Sequence, residues 1–348
     1  MLKRRVGGEL WCVSQPDHAA AAGYLAAHWG NGEFTRPGWY APCPDPERLR
    51  AETVLAVSEH DNGWWEWEAD PRIDPADGLP LDLTSIEQSD GLQRWRLGVP
   101  RFRESHPYVA LLISLHAYWL HAPRVQAEDA PAFLHPLFGS PADWPSPQGR
   151  ELEEARRFVA EQHVLQELLI DRISSDPEWA AAIEPWSLRP HTRLLQACDA
   201  LSLHLCFGGD KERIMHGIPR ASWNDRVSLS VRLAGESRVA IDPYPFDQDP
   251  LAVTLRARIL NLYFSPRGEA KCVRGPSGRG ASRLARTGVL DSTSSTASKR
   301  NEVLAVVSPA STVGWGDMQV NPEIRVPDDF HAWWHALPRR EIRFIFTR

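Results

Sequence analysis

The hydrophobic pattern changes character once along this chain. Before about residue 210 the apolar positions recur with helical spacing, and after it they alternate. The run ending Glu9-Leu10-Trp11-Cys12-Val13 reads as a short strand. Ser14-Gln15-Pro16-Asp17 then supplies a helix start, with Pro in the first turn and an acid near the positive helix end. That helix is predicted over about His18 to Trp29, stopping at Gly30-Asn31-Gly32, and a second over about Pro46 to His60, ending at Asp61-Asn62-Gly63. Residues 70–100, rich in Pro, Asp and Gly, read as loop. The stretch from His106 to His121 is apolar on nearly every side, which predicts a central, buried helix. An amphipathic helix follows over about Glu151 to Ile173, and another buried one over about His191 to Phe207, stopping at Gly208-Gly209.

Val227 to Leu233 and Leu251 to Leu260 alternate with period two, with a rigid turn between them at Ile241-Asp242-Pro243-Tyr244-Pro245-Phe246. Arg340 to Arg348 alternate again. The expected fold is therefore mainly α: a helical domain over residues 1–210, with a small antiparallel β-sheet from 211–265 and 326–348 appended at the C-terminal side. Residues 266–325 are rich in Gly, Ser, Thr and Arg and poor in large apolar residues. Such a segment cannot bury enough surface to offset its ordering entropy, so a disordered insertion is expected there.

Composition narrows the function classes. With 39 Lys+Arg against 45 Asp+Glu and a net charge of −6, the chain lacks the basic excess of a general nucleic-acid binder. No apolar run approaches the ~18 residues of a membrane span. Five cysteines form no CxxC pair and the N-terminus has no apolar signal core, so reduced thiols in a cytoplasmic protein are expected. Fifteen tryptophans, several at helical spacing among Leu and Ala, read as bulky core residues.

Ionisable side chains stand where this pattern demands burial: His18 in an Ala-rich helix, the adjacent His60-Asp61 pair, His116 in the most apolar helix, and Asp199 within Leu194 to Leu203. A carboxylate inside such a helix costs several kcal/mol unless it is paired, bound to a metal or neutralised. Arg193 and His204 are offset around the same helix, so Asp199 needs a partner from elsewhere. Taken singly, each residue has an ordinary reading: His116 as a core imidazole bonded to a carbonyl, Asp199 as a cap, Asp61 as a turn residue. Taken together, two His and two Asp on separate helices suit one divalent cation, and helical proteins build metal sites from facing helices in this way.

The order His18 … His60-Asp61 … Asp199, with Asp199-Ala200-Leu201 as an Asp-x-Leu ending, resembles the HD superfamily of metal-dependent phosphohydrolases. More narrowly, Gln15-Pro16-Asp17-His18, His60-Asp61-Asn62-Gly63-Trp64, Ser114-Leu115-His116, Asp199-Ala200-Leu201-Ser202-Leu203 and Pro243-Tyr244-Pro245-Phe246 resemble a bacterial domain family of unknown function, over about residues 1–265 with 326–348. The resemblance makes the expected helical domain an HD-like bundle. It implies a divalent ion (Mn, Fe, Co, Mg or Zn) held by His18, His60, Asp61 and Asp199. The Asp61-to-Asp199 interval is long for a compact HD domain, the excess falling at 62–105 and 122–150.

The activity so implied is hydrolysis of a phosphate ester, of a nucleotide or another phosphorylated small molecule. Asp61 would ligate and orient water, and His116 would stabilise charge or protonate the leaving group. Residues 4–210 hold no lysine, so a phosphate clamp falls to Arg101, Arg103 and their neighbours Arg94 and Arg96, which read equally as a solvated loop. Gln162 either lines the pocket or is a surface helical residue, and Trp64 with Trp65 either walls it or packs in the core. Two alternatives stay open: a non-catalytic metal- or nucleotide-binding module, and a di-iron oxygenase of HD-like fold, for which His106 and His116 would have to serve a second metal.

Overall fold

The computed structural model describes residues 1–75, 78–83, 85–127, 147–209, 211–235, 237–264, 270–272 and 330–348. Two strands, β1 (Leu2–Val6) and β2 (Glu9–Val13), form an N-terminal hairpin across Gly7-Gly8, with Gly7 at φ +56°. The helices are α1 (Gln15–Ala27), α2 (Pro46–Ser58), the short α3 (Trp65–Ala69), α4 (Gln88–Gly98), α5 (Pro107–His121), α6 (Gly149–Ser174), α7 (Pro185–Phe207) and α8 (Phe330–Ala336). The remaining strands are β3 (Arg213–Ser222), β4 (Asp225–Ala234), β5 (Arg238–Asp242), β6 (Leu251–Phe264), β7 (Ala270–Cys272) and β8 (Arg339–Thr347). Apart from β7, which pairs with β6, the insertion expected over 266–325 lies outside the described residues.

The sheet overturns the expectation of a mainly α, HD-like bundle with a small antiparallel appendage. Its order is β1-β2-β6-β8-β5-β4-β3, so the first strands of the chain pair with one of the last. It is mixed, because β5 and β8 run parallel while the other neighbours are antiparallel, and it curls into a half-barrel. Three readings account for the difference. The N-terminal hairpin reads as one strand unless Gly7-Gly8 is taken as a two-residue turn. β3 carries Gly217 and Pro219 and has irregular register on β4, so it lacks clean alternation; it is also the edge strand, where Pro is tolerated. β5 is short and runs directly into the Pro243-Tyr244-Pro245 turn.

Residues 70–100 are not all loop. Helix α4 forms there and buries Leu92, Trp95 and Gly98. Its approach depends on glycine: a Cβ on Gly63 would lie 1.9 Å from the Arg94 carbonyl oxygen, and one on Gly98 2.8 Å from the Gly63 nitrogen.

Helix α1 packs on β6, and α7 on β1 and β3. One continuous core joins the inner face of the sheet (Leu229, Val253, Phe344) to Leu25, Leu111 and Leu195 of the helices. At ~1.5–3 kcal/mol for each large side chain removed from water, this shared core makes helices and sheet one stabilising unit. A smaller cluster, including Leu10, Leu260, Phe330 and Trp334, closes against α8. The Pro-rich segment before α2 is pinned by His191: the Gly38 N–H donates to its Nε2 at 2.8 Å, so its Nδ1–H donates to Tyr108 Oη, also at 2.8 Å. No helix of the described residues is long and apolar enough to cross a membrane.

Candidate metal centre

Each candidate ligand is delivered by local structure the sequence specifies. Ser14 caps α1 by accepting the Asp17 N–H at 3.0 Å, and buried Glu68 of α3 accepts the Gln15 N–H at 2.7 Å. His18 therefore enters in a firmly held first turn. Helix α2 ends at Ser58, and Asn62 closes the following turn by donating from its amide side chain to the Glu59 carbonyl at 2.8 Å. That turn aims His60 and Asp61 inward. Helix α5 supplies His116 and α7 supplies Asp199, both from the middle of apolar segments.

The five side chains converge, and each is 1–6% exposed. His18 Nε2 lies 2.7 Å from Asp61 Oδ2, and His18 Nδ1 lies 3.8 Å from Asp199 Oδ1. His60 Nε2 is 3.4 Å from Asp199 Oδ1 and 3.7 Å from Asp61 Oδ2. His116 Nε2 is 3.5 Å from Asp199 Oδ2, the other oxygen of the same carboxylate. The tightest donor group is His18, His60 and Asp199, whose atoms all lie within 4.8 Å of one another. Metal bonds of about 2.0–2.2 Å to imidazole and carboxylate put neighbouring donors roughly 3–3.6 Å apart, so these residues would fit an ion once their donors draw slightly closer.

Hydrogen bonding sets the orientation of His60. The Val57 carbonyl, 2.8 Å from Nδ1, can only accept, so Nδ1 carries the proton and Nε2 faces the carboxylates. Burial pulls the His60 pKa down, but Asp61 and then Asp199 outweigh it and raise the value to about 9. Burial likewise pushes Asp61 up, and His60 and His18 overcome this to hold its carboxyl below the usual range. Without metal, the centre is therefore a proton-loaded cluster of ion pairs.

The other candidate residues make their contacts outside this cluster. Gln162 is buried between α5 and α6, not on the surface: Ser114 Oγ donates to its carbonyl at 2.8 Å, and Gln166 donates to Ser114 Oγ at 3.1 Å. Trp64 is buried edge-on against Trp67, whereas Trp65 is 56% exposed and walls a surface cleft of about 460 Å³ with Tyr24 and Glu59. Arg101 donates to the Asn62 carbonyl at 3.0 Å and pairs with Glu66, tethering the turn after the His-Asp pair. Arg103 pairs with Glu104 on the surface. His106, weighed for a second metal, instead pairs with Glu52 at 2.7 Å.

Two further neighbours complete the surroundings of the cluster. Trp95 of α4 packs edge-on against His116 at 5.7 Å, and nothing in the spacing signals it. Ser202 Oγ lies 2.8 Å from His18 Nδ1, and its position one helical turn after Asp199 is the available signal.

No curated protein and no solved structure matches this chain. A family model does, described as protein of unknown function (DUF3891), over residues 1–262. That span carries the strands and helices that place His18, His60, Asp61, His116 and Asp199, and the chain belongs to this family.

Proposed function

We propose that this protein holds a divalent metal ion between His18, His60, Asp61 and Asp199 and hydrolyses a phosphate ester of a small molecule, the HD-like chemistry that the order of these residues implies. The observation that supports this is the convergence of two imidazoles and two carboxylates, from two helices and a turn, at 2.7–3.8 Å in a buried site. Imidazole and carboxylate together favour Mn, Fe, Co or Zn over Mg, which prefers oxygen donors and retains water. When bound, the ion supplies Lewis acidity toward a phosphoryl oxygen and makes water a better nucleophile at neutral pH. Asp61, whose Oδ2 lies 2.7 Å from His18 Nε2, would ligate the ion and orient that water. His116, 3.5 Å from the second oxygen of Asp199, would donate a proton or a hydrogen bond to the departing oxygen.

The same burial favours a second reading, a non-catalytic metal-binding module, because every candidate ligand is at most 6% exposed. One experiment separates them. The protein is purified without chelator, its metal content measured, and nucleotides and generic phosphate esters screened with Mn²⁺, Co²⁺, Fe²⁺, Zn²⁺ and Mg²⁺. Turnover that requires metal and disappears in His60→Ala supports the hydrolase. One tightly held ion without turnover supports the module, and two irons per chain support the oxygenase alternative.

A further inference from the structure

Among the buried groups around this centre, Ser202 is the one whose hydrogen bonds decide how a ligand is presented. It is fully buried on α7, three residues after Asp199. Its hydroxyl donates to the Asp199 carbonyl at 2.8 Å. A hydroxyl has a single proton, so toward His18 Nδ1, 2.8 Å away on its other side, Ser202 Oγ acts as the acceptor. Nδ1 then carries a proton, and Nε2, hydrogen-bonded to Asp61 Oδ2 at 2.7 Å in this structure, is the nitrogen an ion would take.

We infer that Ser202 is a positioning residue that commits His18 to bind metal through Nε2 and thereby keeps Asp61 in the ligand set. This rests on the metal-site reading above. Two geometries compete for His18. In one, Nε2 and Asp61 Oδ2 are adjacent donors. In the other, Nδ1, which lies 3.8 Å from Asp199 Oδ1, binds the ion and Nε2–H donates to Asp61, which becomes an outer partner. The Ser202 hydroxyl blocks the second by holding the proton on Nδ1. His60 is fixed in the same sense by the Val57 carbonyl, so both imidazoles offer Nε2. Asp199 thus acts twice, through its carboxylate as a candidate ligand and through its carbonyl as the acceptor that orients Ser202.

The test uses Zn²⁺ as the probe, by competition against a chromophoric chelator, on the full chain and on Ser202→Ala and Ser202→Thr. It is combined with ¹⁵N NMR of the histidine rings in the zinc-loaded proteins, and with circular dichroism to check folding. Loss of such an outer partner is expected to weaken zinc binding by about 10–100-fold in Ser202→Ala. Ser202→Thr, which keeps the hydroxyl, should retain most of the affinity, and the wild-type spectrum should show His18 protonated at Nδ1. A residue that merely fills space would change melting temperature without moving the ring protonation. Wild-type affinity and an unchanged His18 signal in folded Ser202→Ala would overturn the inference, as would zinc on Nδ1 in the wild type. If the wild type binds no zinc, the metal reading itself falls, and that outcome is distinct from a failure confined to the variant.

Discussion

Stripped of metal by a chelator, this protein should lose stability as the pH rises from 6.5 to 9. His60 is the source. Burial opposes its charge, yet the carboxylates of Asp61 and Asp199 lift its pKa from 6.5 to about 9 in the folded chain. A raised pKa means that the folded state holds the proton more tightly than the unfolded one. The stabilisation is therefore fully present below 6.5, drains between 6.5 and 9, and is gone above 9. At 1.36 kcal/mol per pH unit the loss is about 3 kcal/mol, or roughly 4–5 °C in Tm for a chain of 348 residues at ~2.1 cal/mol/K of unfolding entropy per residue. The depressed carboxyl of Asp61 acts at the other end, where its contribution is lost as the pH falls below 3.8. An ion takes the place of the proton, so the loaded protein should hold its Tm and the gap between loaded and chelated protein should widen with pH. Asp61→Asn removes the largest cause that raises the His60 pKa and should flatten the slope. Thermal melts at constant ionic strength from pH 6 to 9.5 decide the matter. A flat profile for chelated wild type, or an equal slope in Asp61→Asn, would refute the reasoning.

Asp199→Ala should release the bound ion and leave helical content unchanged, whereas His116→Ala should keep the ion, both read by metal analysis and circular dichroism. Gly63→Ala should destabilise by several kcal/mol in urea titration, because its Cβ would press on the Arg94 carbonyl and push α4 away. Replacing His191 with Phe strands the Gly38 N–H and the Tyr108 hydroxyl and should cost about 2–4 kcal/mol. Buried His191 and His121, with pKa values depressed to about 3, should also make the protein acid-labile, losing stability as the pH falls below 6.5. Arg103→Ala, which breaks only an exposed pair with Glu104, should shift stability by no more than about 0.5 kcal/mol.

Much of the helical half was legible because its signals are local. Ser14-Gln15-Pro16-Asp17 shows its helix start on the surface of the sequence, and the all-round apolarity of α5 predicts burial. The sheet was not, because its order is set by pairings between residues far apart. Nothing near Leu10 says that it will lie beside Leu260. Helix α4 was hidden for a related reason: it is held by the backbone contact at Gly63, and in the sequence Gly63 looks like punctuation after the His-Asp pair. At the centre, residue type betrayed His18, His60, Asp61, His116 and Asp199, since each breaks an apolar or small-residue pattern. Ser202 breaks the same pattern, but a lone helical serine is routinely satisfied by its own backbone. Only the three-dimensional placement brings its oxygen within 2.8 Å of His18 Nδ1 as well.

The density of polar groups at this one point bears on why they are there. Three imidazoles, two carboxylates and a hydroxyl meet where α1, α5, α7 and the turn after α2 come together inside a largely apolar core. Well-packed apolar residues of similar volume would be as stabilising or more so, because burying a charge pair sacrifices hydration that the pairing recovers only in part. The arrangement is therefore not what stability alone would select. Nor is it made of isolated buried polar residues. Asp61 draws on both His18 and His60, and Asp199 lies within 3.8 Å of all three imidazoles. A cluster so coupled must hold either protons or a cation at its middle. The protonated cluster loses its charge balance as the pH rises toward 9, whereas a bound cation would keep it. Metal analysis of the untreated protein distinguishes the two occupants directly.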